Sequence, residues 1–598
     1  MDFKQKAEEK KMSMSKNIAR LAVTAGLTAA LSFGGVMAPV TMAFADDAVT
    51  APANSIIIEQ AEDNATTTFK AYQIFKADVV DSTEAGATGK IVSNVKWADG
   101  VGDDAQKAII AAINEFQTNA LKNDASAEDV ANWLTKNAKD TTVATRVDKD
   151  SVLNKIAKMV KDKVTPTGDP FNAGAAFEPK NADSTPNTGY YLFLTDDASI
   201  GQSTENNKKN TGTSPIFAVV GDSGVKVAEK TKIPTVEKKI KDDKPGSKWE
   251  DKADSQMGQD VHYQLKGTVA DNVATFDIYY YEFHDELSAG LTAETDSVKV
   301  TVYKNDSDTT GTEINLPTDA VAYDQTEGKN LLTVKFNNLK TVTAKGTNAS
   351  VDIAATSKVV VTYTAKLDPS KAVTVGGVGN PNSVKLIYSN NPMSDGKGES
   401  VPDTVRDYTY ALKLVKEDSV DNNTKLKDVE FTIKATGADE LESGKVGTQY
   451  VQGNGSLGDD EHTFKTNENG EINVKGLDAG TYTVHEVEGS NPGYNTLDDF
   501  TFTITAKGLG ELEGATFAGN TDPNTLKVTA EKNGSTLVTQ SVVDGTVTLT
   551  VKNKKGSGLP LTGLNGVTFT WIAGGAVLCI GVAHLIRSRK QAEESEQE

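Results

Sequence analysis

Leu412-Lys-Leu-Val-Lys416 is the stretch on which the reading of this chain turns. Strict alternation marks a β-strand, and a period of two points Leu412, Leu414 and Lys416 to the same side. Lys416 therefore faces the core. A buried ammonium is costly and tends to lose its proton. Two further strands carry the same anomaly. In Thr481-Tyr-Thr-Val-His-Glu486 the inward set is Tyr482, Val484 and Glu486, and a buried carboxyl tends to keep its proton. In Thr548-Leu-Thr-Val-Lys-Asn553 it is Leu549, Val551 and Asn553. A neutral amine, a protonated acid and a carboxamide in one apolar core suit a single amide exchange: the amine attacks the carboxamide carbon, the acid moves protons, and ammonia leaves. The plainer alternative is a buried Lys–Glu ion pair beside a hydrogen-bonded asparagine.

Working outward, alternating segments rich in β-branched residues dominate the chain, which is mainly β and predicts tandem sandwich domains. In the third unit they include Tyr410–Val415, Val429–Ile433, Glu471–Val474, Thr481–Val487, Phe500–Thr505 and Val547–Val551. In the second they include Val236–Ile240, Val261–Val269, Ser297–Tyr303, Leu331–Phe336, Lys358–Ala365 and Val384–Tyr388. Val236, Lys238 and Ile240 share a face there, which places another lysine inward. Upstream, Ser55–Ile58, Thr67–Phe75, Gly189–Leu194 and Pro215–Val220 read as strands. They are interrupted by helix formers at helical spacing over Ala105–Leu121, Ala127–Lys136 and Val152–Val160. This first unit has no inward lysine on its opening strand and no carboxylate on Gly189–Leu194, so no crosslink is expected in it. Ile233-Pro234-Thr235 reads as a hinge. The expected division is 46–232, 233–405 and 406–556, between a leader at 1–45 and a tail at 557–598.

With these residues in view the chain resembles the SpaA/FimA-type backbone pilins of Gram-positive fimbriae, whose domains carry intramolecular Lys–Asn isopeptide bonds. The third unit looks like a CNA-B-type, Ig-like sandwich. Thr481–Glu486, continuing to Asn491-Pro-Gly-Tyr494, resembles the E-box of that family, with Asn-Pro where Ala-Pro is usual. The resemblance implies a Lys416–Asn553 bond catalysed by Glu486. In the second unit Phe283-His-Asp285-Glu-Leu-Ser-Ala-Gly-Leu291 resembles the segment bearing the catalytic aspartate, here Asp285. Asn380-Pro-Asn-Ser-Val-Lys-Leu-Ile-Tyr-Ser-Asn390 resembles the closing strand. Alternation places Asn390 inward, giving Lys238–Asn390 as the expected pair. Asn382 shares that face, and Asn391 replaces Asn390 if the register slips by one. Such pilins also present an exposed lysine near the end of the first domain as the amine that receives the next subunit. Val225-Lys-Val-Ala-Glu-Lys230 matches that position with Ala-Glu in place of Tyr-Pro, so the resemblance points to Lys230, with Lys226 and Lys232 as neighbours.

Both ends of the chain agree with export and wall anchoring. Basic residues up to Lys16 and Arg20 precede an apolar run, and Ala43-Phe44-Ala45 offers the small-x-small pattern cut by signal peptidase after Ala45. Leu559-Pro560-Leu561-Thr562-Gly563 precedes about 20 apolar residues, Val567 to Ile586, enough for a transmembrane helix. Arg587-Ser-Arg-Lys590 then follows. This tail resembles the LPxTG sorting signal, in which a sortase cleaves between Thr and Gly and passes the threonyl group to an amine. The partners so implied are a sortase, other copies of the chain, peptidoglycan, and tip or ancillary pilins.

Composition excludes other classes. The formal charge of -21 argues against nucleic acid as a partner. The single cysteine, Cys579, lies in the apolar tail, so the exported part can form no disulfide. Five scattered histidines show no metal-ligand spacing, and there is no phosphate loop or nucleophile elbow. No cofactor, metal or enzymatic turnover is expected. The reading is a structural fimbrial shaft subunit, and the alternative is a monomeric wall-anchored adhesin.

Overall fold

The structure is a computed structural model describing residues 51–81, 89–138, 147–204, 207–242, 246–436, 448–509 and 527–556. The cleavage position Ala45, the Leu559–Gly563 signal, the apolar run and the basic tail lie outside the described residues. Among those described, no helix is long and apolar enough to cross a membrane.

The first unit is built on an antiparallel sheet in the order Lys90–Trp97, Thr68–Asp81, Gly189–Thr195, Ile216–Val220. Every residue of Gly189–Thr195 is buried, because this sheet is covered on both faces. One face packs on three helices, Asp103–Phe116, Ala127–Asn137 and Val152–Lys163, through residues such as Leu192, Phe217, Ile113, Trp133 and Ile156. These are the expected helical insertion. Ser126 caps the second helix, accepting from the Asp129 N–H while the Asp129 carboxylate accepts from the Ser126 N–H. The other face packs on a small sheet in which Ile56–Glu59 runs parallel to Val225–Ala228.

The second unit is a sandwich of two sheets around one apolar core. One sheet centres on Val236–Lys241, Val261–Thr268, Lys358–Leu367 and Leu291–Tyr303. The facing sheet centres on Asp403–Tyr408, Asn380–Ser389, Tyr281–Leu287 and Leu331–Phe336. Only Thr409 separates Asp403–Tyr408 from the next strand, so the expected division at 405/406 falls inside a paired strand.

The third unit opposes two sheets, one ordered Glu471–Leu477, Tyr410–Asp418, Thr546–Asn553, Val538–Val543. Its first and last strands, Tyr410–Asp418 and Thr546–Asn553, are parallel neighbours, with Lys416 opposite Val551 and Asp418 opposite Asn553. The facing sheet contains Glu430–Ala435, Gly480–Glu486 and Phe500–Lys507.

The expected hinge is instead a packed joint. Ile233 belongs to the core of the second unit, Pro234 is buried, and Thr235 N–H donates to Thr268 Oγ1 at 2.8 Å. Proline restricted the chain there without freeing it, because neighbouring side chains bury the segment. The first joint is tied further by Asn272 Nδ2 to the Gly212 carbonyl at 3.0 Å and Asn391 Nδ2 to Asp197 Oδ1 at 2.9 Å. At the second joint, the Gln256 side chain donates to the Gly455 carbonyl at 2.5 Å and accepts from the Asp478 N–H at 3.0 Å.

Candidate functional site

Two buried clusters bring polar side chains together inside apolar sandwiches. In the third unit Lys416 is 0% exposed, with Glu486 and Asn553 scarcely more. Lys416 and Asn553 come from the paired first and last strands, offset by two residues, and Glu486 reaches over from the facing sheet. Lys416 Nζ donates to Asn553 Oδ1. Asn553 Nδ2 donates to Glu486 Oε1 at 2.5 Å, and Lys416 Nζ lies 3.5 Å from Glu486 Oε2. The second carboxylate oxygen also accepts the Leu497 N–H at 3.3 Å. Burial pulls the lysine down to about 8, against the opposing pull of Glu486. Amine, amide and acid thus contact one another pairwise, with the amine poised beside the carboxamide it would attack. His485, next in sequence to the acid, points to the other face and meets Asp499 Oδ1 at 2.7 Å.

In the second unit Lys238 sits on the first strand, pointing inward as its parity requires, opposite Leu265. Its Nζ donates to Asp285 Oδ1 at 2.5 Å across the gap between the sheets. Both groups are enclosed: burial lowers the lysine and raises the carboxyl, each opposed by the charge of the other. Tyr263 and Tyr363 stack at 5.3 Å, and the ammonium lies 5.3 and 5.5 Å from their ring centres.

The asparagine in this cluster is Asn382, not Asn390. Asn382 pairs opposite Leu287, two residues beyond Asp285 on the neighbouring strand, and its Nδ2 donates to the Tyr363 hydroxyl at 2.7 Å. That hydroxyl in turn donates to Asp285 Oδ2 at 2.6 Å and accepts from Lys238 Nζ at 3.3 Å. Asn390 is buried, as alternation required, but lies just past the end of the strand. Eight residues of extended chain separate the two asparagines, roughly 26 Å. The Asn390 carbonyl accepts the Gly212 N–H at 2.6 Å, at the joint with the first unit. Asn391 is held at that joint too, by Asp197. Parity could not separate Asn382 from Asn390, since both are even; position along the strand does. Alternation alone marks the strand over Val384–Tyr388, yet Asn380-Pro-Asn-Ser also pairs with Asp403–Tyr408 and carries the strand back to Asn382.

Lys230 departs from expectation. It is 2% exposed, its N–H donating to Thr213 Oγ1 at 2.9 Å and its carbonyl accepting from Ser214 N–H at 3.0 Å. The stretch Glu229–Thr231 packs back on the first unit, against Glu59, Asn64, Thr211 and Thr213, and is buried where an exposed lysine is expected. Lys232 is exposed and Lys226 is half-buried beside Glu59. Glu229 is a buried carboxylate that the sequence did not announce. It accepts from Asn64 Nδ2 at 2.6 Å and from the Ala61 N–H at 2.9 Å. Among the described residues no group of three or more His, Cys, Asp or Glu side chains is placed to hold a metal.

Residues 411–514 match the family described as the SpaA prealbumin-like fold domain. The match covers both Lys416 and Glu486. A comparison with curated proteins gives no match. Among solved structures the chain is similar to the T6 backbone pilin of serotype M6 Streptococcus pyogenes, at 16% identity over 85% of this chain and 100% of that one, TM-score 0.46. It is similar to BcpA, the major pilin subunit of Bacillus cereus, at 19% identity over 65% and 92%, TM-score 0.34. It is also similar to the full-length major pilin SpaD of Corynebacterium diphtheriae, at 13% identity over 85% and 98%, TM-score 0.38.

Proposed function

We propose that this chain is a backbone pilin: the shaft subunit of a cell-surface fimbria whose subunits are joined covalently by a sortase, with the completed fibre attached to peptidoglycan. One observation carries the reading. In the SpaA-type unit a lysine, an asparagine and a glutamate meet in a buried apolar core in contact geometry. Such a set forms one amide bond per molecule and then stops. Lys416 Nζ attacks Asn553 Cγ, Glu486 takes the amine proton and delivers one to Nδ2, and ammonia departs. Lys238, Asp285 and Asn382 do the same in the second unit.

The LPLTG sequence supports the external chemistry: a sortase cleaves after Thr562 and passes the threonyl group to a lysine of the neighbouring subunit. Lys232 is the accessible candidate in the segment where the motif lysine is expected, while Lys230 is buried and must be uncovered first. The internal bonds supply what a cysteine-free exported chain lacks, covalent reinforcement along the line of pull. In the analogy with disulfides, closing so long a loop contributes a few kcal/mol by restricting the unfolded chain.

The test is the intact mass of the full chain in denaturant. Two bonds remove two molecules of ammonia, about 34 Da in all. Glu486→Ala and Asp285→Ala each recover half of that deficit. A wild-type chain with no deficit would reduce both clusters to buried ion pairs and sink the proposal.

A further inference from the structure

The two clusters differ in one respect that their chemistry makes significant. Glu486 touches both the amine and the amide nitrogen it must serve. Asp285, one methylene shorter, contacts Lys238 directly but meets Asn382 only through the hydroxyl of Tyr363. We propose that Tyr363 is a catalytic residue of the second-unit crosslink, its hydroxyl relaying a proton from Asp285 to the departing nitrogen of Asn382. The inference rests on the isopeptide reading given above.

The exchange balances as follows. With the pair neutral, Lys238 is an amine and Asp285 carries its proton on Oδ2. The Nζ lone pair attacks Asn382 Cγ, forming the new C–N bond, and an Nζ proton passes to Asp285 Oδ1. As the carbon becomes tetrahedral, the lone pair on Nδ2 is released from amide resonance and becomes basic. Tyr363 donates its hydroxyl proton to Nδ2 and takes the Oδ2 proton of Asp285 in return. The Cγ–Nδ2 bond then breaks and ammonia leaves. Asp285 ends protonated on the other oxygen and Tyr363 is unchanged, so no further reactant is needed. A phenol suits the role because burial raises Tyr363 well above its ordinary value, so it stands as a neutral hydroxyl that can pass protons without holding charge.

Tyr363→Phe keeps the ring and its stacking on Tyr263 while deleting the relay. Bond formation is followed by intact mass of the full chain at intervals after synthesis, with peptide mapping to assign each crosslink. The wild type reaches the full deficit of about 34 Da. In Tyr363→Phe the third-unit bond forms normally, and Lys238–Asn382 forms about a hundredfold more slowly, the usual scale for loss of a positioned proton donor. A second variant separates relay from packing. Asp285→Glu combined with Tyr363→Phe lengthens the acid by the missing carbon, and linking returns toward the wild-type rate. Tyr363→Phe linking as fast as wild type overturns the proposal. So does failure of the double variant to recover while the third-unit bond still forms, since the hydroxyl would then be structural only. A wild-type chain in which no Lys238–Asn382 peptide is found overturns the underlying reading of the second unit, and this proposal with it.

Discussion

Glu229 shows how much a single buried acid can matter. Burial raises its carboxyl from 4.5 to about 7, opposed by the hydrogen bonds from Ala61 and Asn64 and reinforced by the charge of Asp271. Between those values the folded chain holds a proton that the unfolded chain has released. The stability this group contributes is therefore full below about pH 4.5 and is lost as pH rises through 7, by roughly 3 kcal/mol at most. Unfolding of the first unit, followed through Trp97 and Trp133, should shift to lower temperature between pH 5 and pH 8. Glu229→Gln should flatten that profile. Nothing in Val225–Lys230 advertised this, because the groups that enclose Glu229, Glu59, Ala61 and Asn64 among them, lie about 170 residues away in the sequence. By contrast Lys416, Glu486, Asn553 and Lys238 were legible one by one. A strand's parity is local, and a charged residue on the apolar side of a strand is conspicuous whatever the tertiary context.

At the scale of strands, legibility divides between direction and length. Alternation told which side chains of Asn380–Ser389 face inward, and the burial pattern follows it residue by residue. It could not tell how far the strand extends past Asn380-Pro-Asn-Ser, since the pairing partner Asp403–Tyr408 lies about 20 residues away. The consequence is specific. Asn382→Ala should abolish the second-unit crosslink and return about 17 Da to the intact mass, whereas Asn390→Ala should leave the mass deficit unaltered. The opposite result would restore the pairing first read from the sequence. The two clusters also differ in what they join. Lys416 and Asn553 lie on neighbouring strands of one sheet, while Lys238 and Asn382 lie on opposed sheets. A second-unit bond would therefore pin the sandwich layers together, and a third-unit bond would tie the entry of the chain to its exit.

For the whole molecule, the mainly-β tandem architecture and the helices of the first unit were legible in the sequence, but Ile233-Pro234-Thr235 read as a hinge. The connections between units are packed and hydrogen-bonded at both joints. Joints depend on pairs of surfaces distant in sequence, and no local pattern encodes them. One outcome bears on assembly. Lys232→Ala should remove the high-molecular-weight ladder from denaturing gels of wall extracts, and Lys230→Ala should leave it. A ladder lost only with Lys230 would mean that this buried lysine is uncovered during polymerisation.

The parallel pairing of the first and last strands of the third unit has a consequence beyond strength. Were Lys416 and Asn553 joined, the chain from Glu417 to Lys552 would close with the linked side chains into a covalent ring, entered at Lys416 and left at Asn553. A protease that cuts any one bond within that ring opens it and releases nothing. In a fibre of the proposed kind the path from one subunit to the next would run through the amide between the two side chains, so a nick in the chain would not be a break in the fibre. For a filament exposed to an environment rich in hydrolases, the exposed loops become expendable.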